Sequence, residues 1–140
     1  MSVETARDDF IQDLLDSGYW KASEISACDY SILDTCNTCA IMVGPGNGTW
    51  DIQAYGGDIG GDFELEAEGY IREAEDPREA KKRVWEFIRD FYTAITGGSN
   101  LTADPNRMAW PASYDAPKHV TVMFGGHSFI PVNCTVRVQE

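Results

Sequence analysis

Acidic and apolar residues alternate without a break through Asp62-Phe63-Glu64-Leu65-Glu66-Ala67-Glu68-Gly69-Tyr70-Ile71. On a β-strand that alternation sends Asp62, Glu64, Glu66 and Glu68 to one face and their apolar neighbours to the other. Same-face side chains stand roughly 6.6 Å apart, so the row presents evenly spaced negative charge in the manner of a nucleic-acid backbone. Such a row attracts the basic groove of a phosphate-binding protein. Asp58 extends the acidic set upstream, and Trp110 and Tyr114 are of the types that anchor interfaces.

Four cysteines, Cys28, Cys36, Cys39 and Cys134, could ligate metal or carry redox chemistry. Cys36-x-x-Cys39 is half of a zinc knuckle, but no second pair follows, and Cys28 and Cys134 would have to converge from distant positions. A thioredoxin-type pair opens a helix after a strand, whereas this one precedes the strand-like run Ala40-Ile41-Met42-Val43. The expectation is buried free thiols, with no metal and no cofactor. His119 and His127 are the only histidines, and nothing in their spacing brings either to a cysteine, so they read as strand-start and turn residues. Asp58 and Asp62 flank glycines but miss the Asp-x-Asx-x-Asx-Gly pattern of a calcium loop. No nucleophile elbow, phosphate loop, His-Glu-x-x-His or dinucleotide-binding glycine signature occurs, so no catalytic residue is assigned. Asn47, Asn100 and Asn133 open Asn-x-Thr sequons, which without a secretory signal read as polar loop residues.

The chain has 140 residues, with 23 acids against 11 bases and a formal charge of −12. That field repels nucleic acid and anionic membranes and attracts basic surfaces, so the expected partner is a basic protein. The excess is uneven, since nine acids lie between Asp58 and Glu79 against only Arg72 and Arg78. Hydrophobic residues make up 43% and aromatic residues 11%, enough buried surface to fold residues 1–140 as a single domain despite the charge. The N-terminus, Met1 to Asp9, has no apolar signal region, and no run approaches the roughly 18 apolar residues of a membrane span. A cytoplasmic location is expected.

Positioning these groups falls to a small set of elements. Ala6, Phe10, Ile11, Leu14 and Leu15 keep helical spacing between Glu4 and Leu15, with Asp8, Asp9, Asp13 and Asp16 expected on the outer face and Gly18 as a stop. Ser23 to Asn37 reads as an irregular strand. Ala40–Val43 and Trp50–Tyr55 read as a hairpin about Gly44-Pro45-Gly46-Asn47-Gly48, and Gly56 to Gly61 as a second turn into the acidic strand. These three strands form an expected antiparallel meander. Asp76-Pro77-Arg78-Glu79 is a strong helix start, and Ala80, Val84, Ile88, Phe91 and Ile95, widened by Trp85, Phe87 and Tyr92, carry the helix to Gly97-Gly98. Lys81, Lys82 and Arg83 lie at pairing distance from Glu79 and Glu86 and predict a solvated ion-pair face. Ser99 to Lys118, with three prolines, shows no period and reads as a long loop. His119–Phe124 and Phe129–Val138 close the chain as strands around Gly125-Gly126-His127-Ser128.

The predicted fold is α+β: an antiparallel sheet of four to six strands with one long helix packed across it and an N-terminal amphipathic helix. The expected core is Phe10, Leu14, Ile41, Val43, Ile52, Phe63, Leu65, Ile71, Val84, Ile88, Phe91, Val122 and Val136. In size, acidity and lack of catalytic signatures the chain resembles the small inhibitors that phages and mobile elements direct against CRISPR or restriction systems. It equally resembles bacterial immunity proteins that block basic toxin nucleases. That likeness is one of composition and transfers no residue; it implies a non-catalytic inhibitor, with Asp58, Asp62, Glu64, Glu66, Glu68, Trp110 and Tyr114 as the expected partner contacts. A reading from a different class is a small enzyme or ligand-binding protein using a pocket under the 99–118 loop.

Overall fold

A computed structural model describes residues 3–36, 38–48, 51–52, 59–73, 76–118 and 120–139. The fold is α+β, two helices packed on a mixed six-stranded sheet. The first helix, α1 (Val3–Asp16), is followed by a two-residue strand β1 (Ile25–Ser26) and a 3₁₀ turn over Tyr30–Leu33. β2 (Cys39–Gly48) is followed by a short antiparallel pair, β3 (Asp51–Ile52) and β4 (Ile59–Gly60), and then by β5 (Asp62–Arg72). After α2 (Pro77–Thr96) come β6 (Met108–Asp115), β7 (Val122–Phe124) and β8 (His127–Gln139).

The strand order is β1-β2-β5-β8-β6, with β7 also pairing β8 and β3 pairing β4 in a separate sheet. All pairs are antiparallel except β1 with β2, a departure from the purely antiparallel expectation confined to two edge residues. The acidic strand β5 is central, paired along its length with β8 from Asp62 opposite Gln139 to Arg72 opposite Phe129. Its partner on the other side is β2, so the expected meander through Trp50–Tyr55 does not form; of that segment only Asp51 and Ile52 lie among the described residues.

Gly44 to Gly48, expected as a turn, continues β2 instead. Its glycines have no positive φ; a Cβ on Gly46 would stand 2.9 Å from Glu64 Cβ, and one on Gly48 2.9 Å from Phe63 Cβ. Close approach to β5, with a register shift between Pro45 and Gly48, is therefore what Gly46 and Gly48 serve, while a Cβ on Gly44 would meet nothing within 4 Å. The true tight turn is Gly125-Gly126, with φ of 57° and 79°, joining β7 to β8 as two positive-φ residues favour.

One sheet face carries both helices. Phe10 and Leu14 of α1 and Phe87 and Phe91 of α2 pack with Ile41, Val43, Leu65, Ala67, Ile71, Val132 and Val136. Gly69 of β5 makes room for this layer, because a Cβ there would lie 2.5 Å from Phe87 Cζ. Of the remaining expected core residues, Phe63, Val84 and Ile88 are partly buried against the cluster, Ile52 has a side chain outside the described set, and Val122 is exposed. Val122 opens the three-residue β7, which pairs only with β8 and places Val122 opposite Phe129. On α2 the buried line runs through Ala80, Phe87, Phe91, Ala94 and Ile95, leaving Trp85 70% and Tyr92 60% exposed. The helix starts as expected, with Asp76 accepting from the Arg78 amide at 2.9 Å, and Arg83–Glu79 and Lys82–Glu86 lie 3.7 and 3.8 Å apart on its outer face.

The other sheet face is covered at one end by the Tyr30–Leu33 turn, where Leu33, Cys36, Ala40, Met42, Tyr70 and Phe129 form a second cluster. Neither helix packs on that face.

Candidate functional site

Register decides which residues share the uncovered half of the sheet, since side chains opposite one another on paired strands point the same way. Four rows cross β5, β8 and β6: Asp62, Gln139, Met108; Glu64, Arg137, Trp110; Glu66, Thr135, Ser113; and Glu68, Asn133, Asp115. The acidic row is thus one face of a central strand, as the alternation demanded, and Trp110 and Asp115 extend that face to the sheet edge. Asp62, Glu64, Glu66 and Glu68 are all half-buried, because strands flank β5 on both sides.

Arg137 is the base among these rows, reaching Glu64 Oε1 at 3.4 Å and Asp62 Oδ2 at 3.5 Å. Both are long for charge-assisted pairs and join partly solvated groups, so this neutralisation is weak. Glu66 and Glu68 keep their charge unpaired by any base in the rows. Glu68 accepts a hydrogen bond from the Tyr70 hydroxyl, and burial followed by that carboxylate pushes the phenol well above its ordinary range. Asn133 Oδ1 is buried without a hydrogen-bond partner among the described residues, between Glu68 and Asp115. This half of the face thus gathers carboxylates around one buried acceptor that lacks a donor among the described residues.

β6 lies in the segment expected to be a structureless loop. Pro111 hides the strand in the sequence but is tolerated at a sheet edge, and a register irregularity between Pro111 and Ser113 breaks the alternation. Two α1 carboxylates deliver the segment there. Asp13 accepts from the Asn100 amide and side chain, each at 2.8 Å, and from the Leu101 amide at 3.1 Å; Asp9 accepts from Arg107 Nη1 at 2.9 Å, and the same guanidinium nitrogen donates to the Leu101 carbonyl. Asp13 is 2% exposed, which corrects its expected place on an outer face. Spacing could have shown this, because Asp13 stands three residues after Phe10 and beside Leu14, within the apolar stripe. Asp16 is exposed, and hydrogen bonds from Asn100 and then Gln12 hold its carboxyl below the usual range.

Tyr114 does not join the acidic face. It pairs with Cys134, whose side chain lies among the helix-side core residues, and so projects toward α2, 58% exposed. There it borders a groove of about 570 Å³ between α2 and β6, lined by Ile88, Phe91, Tyr92, Pro111 and Cys134 among others. Trp110 is 37% exposed on the opposite side of the same strand. The expected Trp110 and Tyr114 anchors thus serve different surfaces. Asp58 and His119 lie outside the described residues.

The cysteines are free thiols in separate surroundings: Cys28 is exposed, Cys36 packs in the second cluster, and Cys39 and Cys134 face the helix side. Burial pushes the Cys36 and Cys39 thiols up, and that of Cys134 to about 12. Groups so desolvated are poor nucleophiles. No group of three or more His, Cys, Asp or Glu side chains among the described residues could hold a metal ion. His127 lies 2.9 Å through Nδ1 from Arg72 Nη2, while Arg72 Nη1 donates to the Cys36 carbonyl at 3.1 Å, tying the β8 start to the Tyr30–Leu33 cover. Asn133 and Asn47 are strand residues, which corrects the reading of those two sequons as loop positions; Asn100 does lie in a loop, between α2 and β6, where Asp13 holds it.

No protein-family model and no curated protein matches the sequence. No helix among the described residues is long and apolar enough to cross a membrane.

Proposed function

We propose that this chain is a non-catalytic binding protein that blocks a basic, nucleic-acid-binding partner in the cytoplasm. The observation that carries the reading is the single face on which Asp62, Glu64, Glu66 and Glu68 of β5, Asp115 of β6 and Trp110 stand together, with Arg137 the base set among them. Neighbouring carboxylates roughly 6.6 Å apart repel by about 0.6 kcal/mol per pair in bulk-water dielectric, a cost that a Lys- or Arg-rich surface relieves. The acids lie on a central strand held from both sides, so their spacing is fixed before the partner arrives, and little ordering entropy opposes binding. The groups a partner's phosphate-contacting residues would meet are then Glu66 and Glu68 first, Asp62 and Glu64 after displacement of Arg137, and Trp110 as a rim anchor. An anti-defence inhibitor and an antidote to a toxin nuclease would use such a face in the same way.

The test is capture of partners from host lysate on the immobilised chain, followed by elution with duplex DNA or salt. A Glu64→Gln, Glu66→Gln, Glu68→Gln triple variant should lose capture, chiefly through slower association, and its salt dependence should flatten. A Glu4→Gln, Asp8→Asn, Glu86→Gln control removes the same formal charge from the helical layer and should bind nearly as well. Equal loss in both variants would reduce the effect to bulk charge; loss in neither would refute the acidic face.

A further inference from the structure

β6 ends the sheet, and no described strand pairs with its outer side. An edge of this kind presents a row of unpaired backbone donors and acceptors, ready to take up another strand. The chemistry on either side of it is asymmetric. Toward α2 lies the apolar groove of about 570 Å³, bordered by Tyr92 and Tyr114; toward the opposite face lie Trp110 and Asp115. Among the described residues eleven large apolar side chains are exposed, and six of them fall between Met108 and Met123, so the exposed apolar surface is gathered along this one edge.

We propose that β6 takes up an extended segment of the basic partner as a seventh strand, with apolar and basic residues in alternation. An added strand lies roughly 4.8 Å from β6 and sends successive side chains to opposite faces. One set enters the α2–β6 groove against Tyr92 and Tyr114, and the other places Lys or Arg over the Trp110 ring and beside Asp115. Charge decides against a second copy of this chain. Two copies would bring −12 against −12, and β6, Met108 to Asp115, contains no Lys or Arg to meet Asp115. Pro111 removes one donor from the edge and shortens the ladder without closing it. The inference rests on the basic-partner reading above, yet it concerns a different strand.

The probe is a fluorescein-labelled octapeptide of alternating Val and Lys, followed by anisotropy on the wild-type chain. It should bind at least about tenfold more tightly than a Val₄Lys₄ block of identical composition, and methylation of alternate backbone amides should abolish the preference. Tyr92→Ala with Tyr114→Ala should weaken it about tenfold. Glu66→Gln with Glu68→Gln should change it less than about twofold, because the added strand lies three strand spacings from β5, beyond the screening length at physiological salt. If alternating, block and methylated peptides bind alike, only net charge is read and strand addition is overturned while the acidic-face reading stands. A concentration-dependent dimer in sedimentation, lost in Tyr114→Ala, would assign the edge to a second copy and overturn it too.

Discussion

Replacing Asp13 by Ala should destabilise the protein more than any other single removal of charge on α1. The carboxylate is 2% exposed and accepts three N–H groups, two from Asn100 and one from Leu101. The Leu101 amide is bonded to a buried carboxylate oxygen, so its loss costs the full desolvation penalty of an orphaned donor, about 1–3 kcal/mol. The Asn100 groups are partly exposed and can turn to water, forfeiting about 1 kcal/mol each of net charge-assisted bonding. Gly98 packs so closely that a Cβ there would stand 2.6 Å from Asp13 Cγ, and truncation leaves that contact empty. The sum is about 4 kcal/mol, or a fall in Tm of roughly 8–16 °C for a domain of this size. Asp13→Asn keeps one acceptor oxygen but turns an NH2 toward a donor, and should lie between Ala and wild type. Urea melts followed by tryptophan fluorescence measure both, with the midpoint falling and the slope unchanged. A loss under about 1 kcal/mol for Asp13→Ala would refute the claim that α1 anchors the segment leading to β6.

Gly69→Ala should cost about 1–3 kcal/mol, because the new Cβ meets the Phe87 ring, itself stacked against Phe91 and tilted on Trp20. Phe87→Leu in the same chain should recover part of that loss, and strict additivity in the double-mutant cycle would contradict the contact. The folded state holds the Asp16 carboxyl below its ordinary 3.8, so its contribution is present above that value and disappears as pH falls through the lowered one. The stability gap between wild type and Asp16→Asn should accordingly stay constant from neutral pH down to about pH 5 and then close; a gap that widens on acidification would reverse the sign. Titration with a disulfide reagent at neutral pH should release one fast equivalent, from Cys28, and four after unfolding, whereas two fast equivalents would place a second thiol at the surface.

Local chemistry was enough for the elements whose pattern is short-ranged. The strict alternation of β5 put its acids on one face because the pleat allows nothing else, and Asp76-Pro77 opened α2 because the first helical turn needs an acceptor cap and tolerates a residue without N–H. The apolar spacing of α1 was equally plain, yet it concealed Asp13, since a carboxylate inside an apolar stripe reads as surface until its donors, 87 and 88 residues away, are known. β6 was invisible for a related reason: Pro111 and a register shift erase the period, and what keeps those residues extended is β8 beside them. Glycines at 44, 46 and 48 spelled a turn in the sequence, yet all three continue β2, and those at 46 and 48 serve close approach to β5. Tertiary structure alone decided that Trp110 shares a face with Glu64 and Tyr114 does not, because that depends on one irregularity in the ladder between β6 and β8. Side-chain direction has a period of two along an unbroken strand, as in β5, but across an irregularity such as that in β6, and between strands, it follows register, and register is a property of pairs.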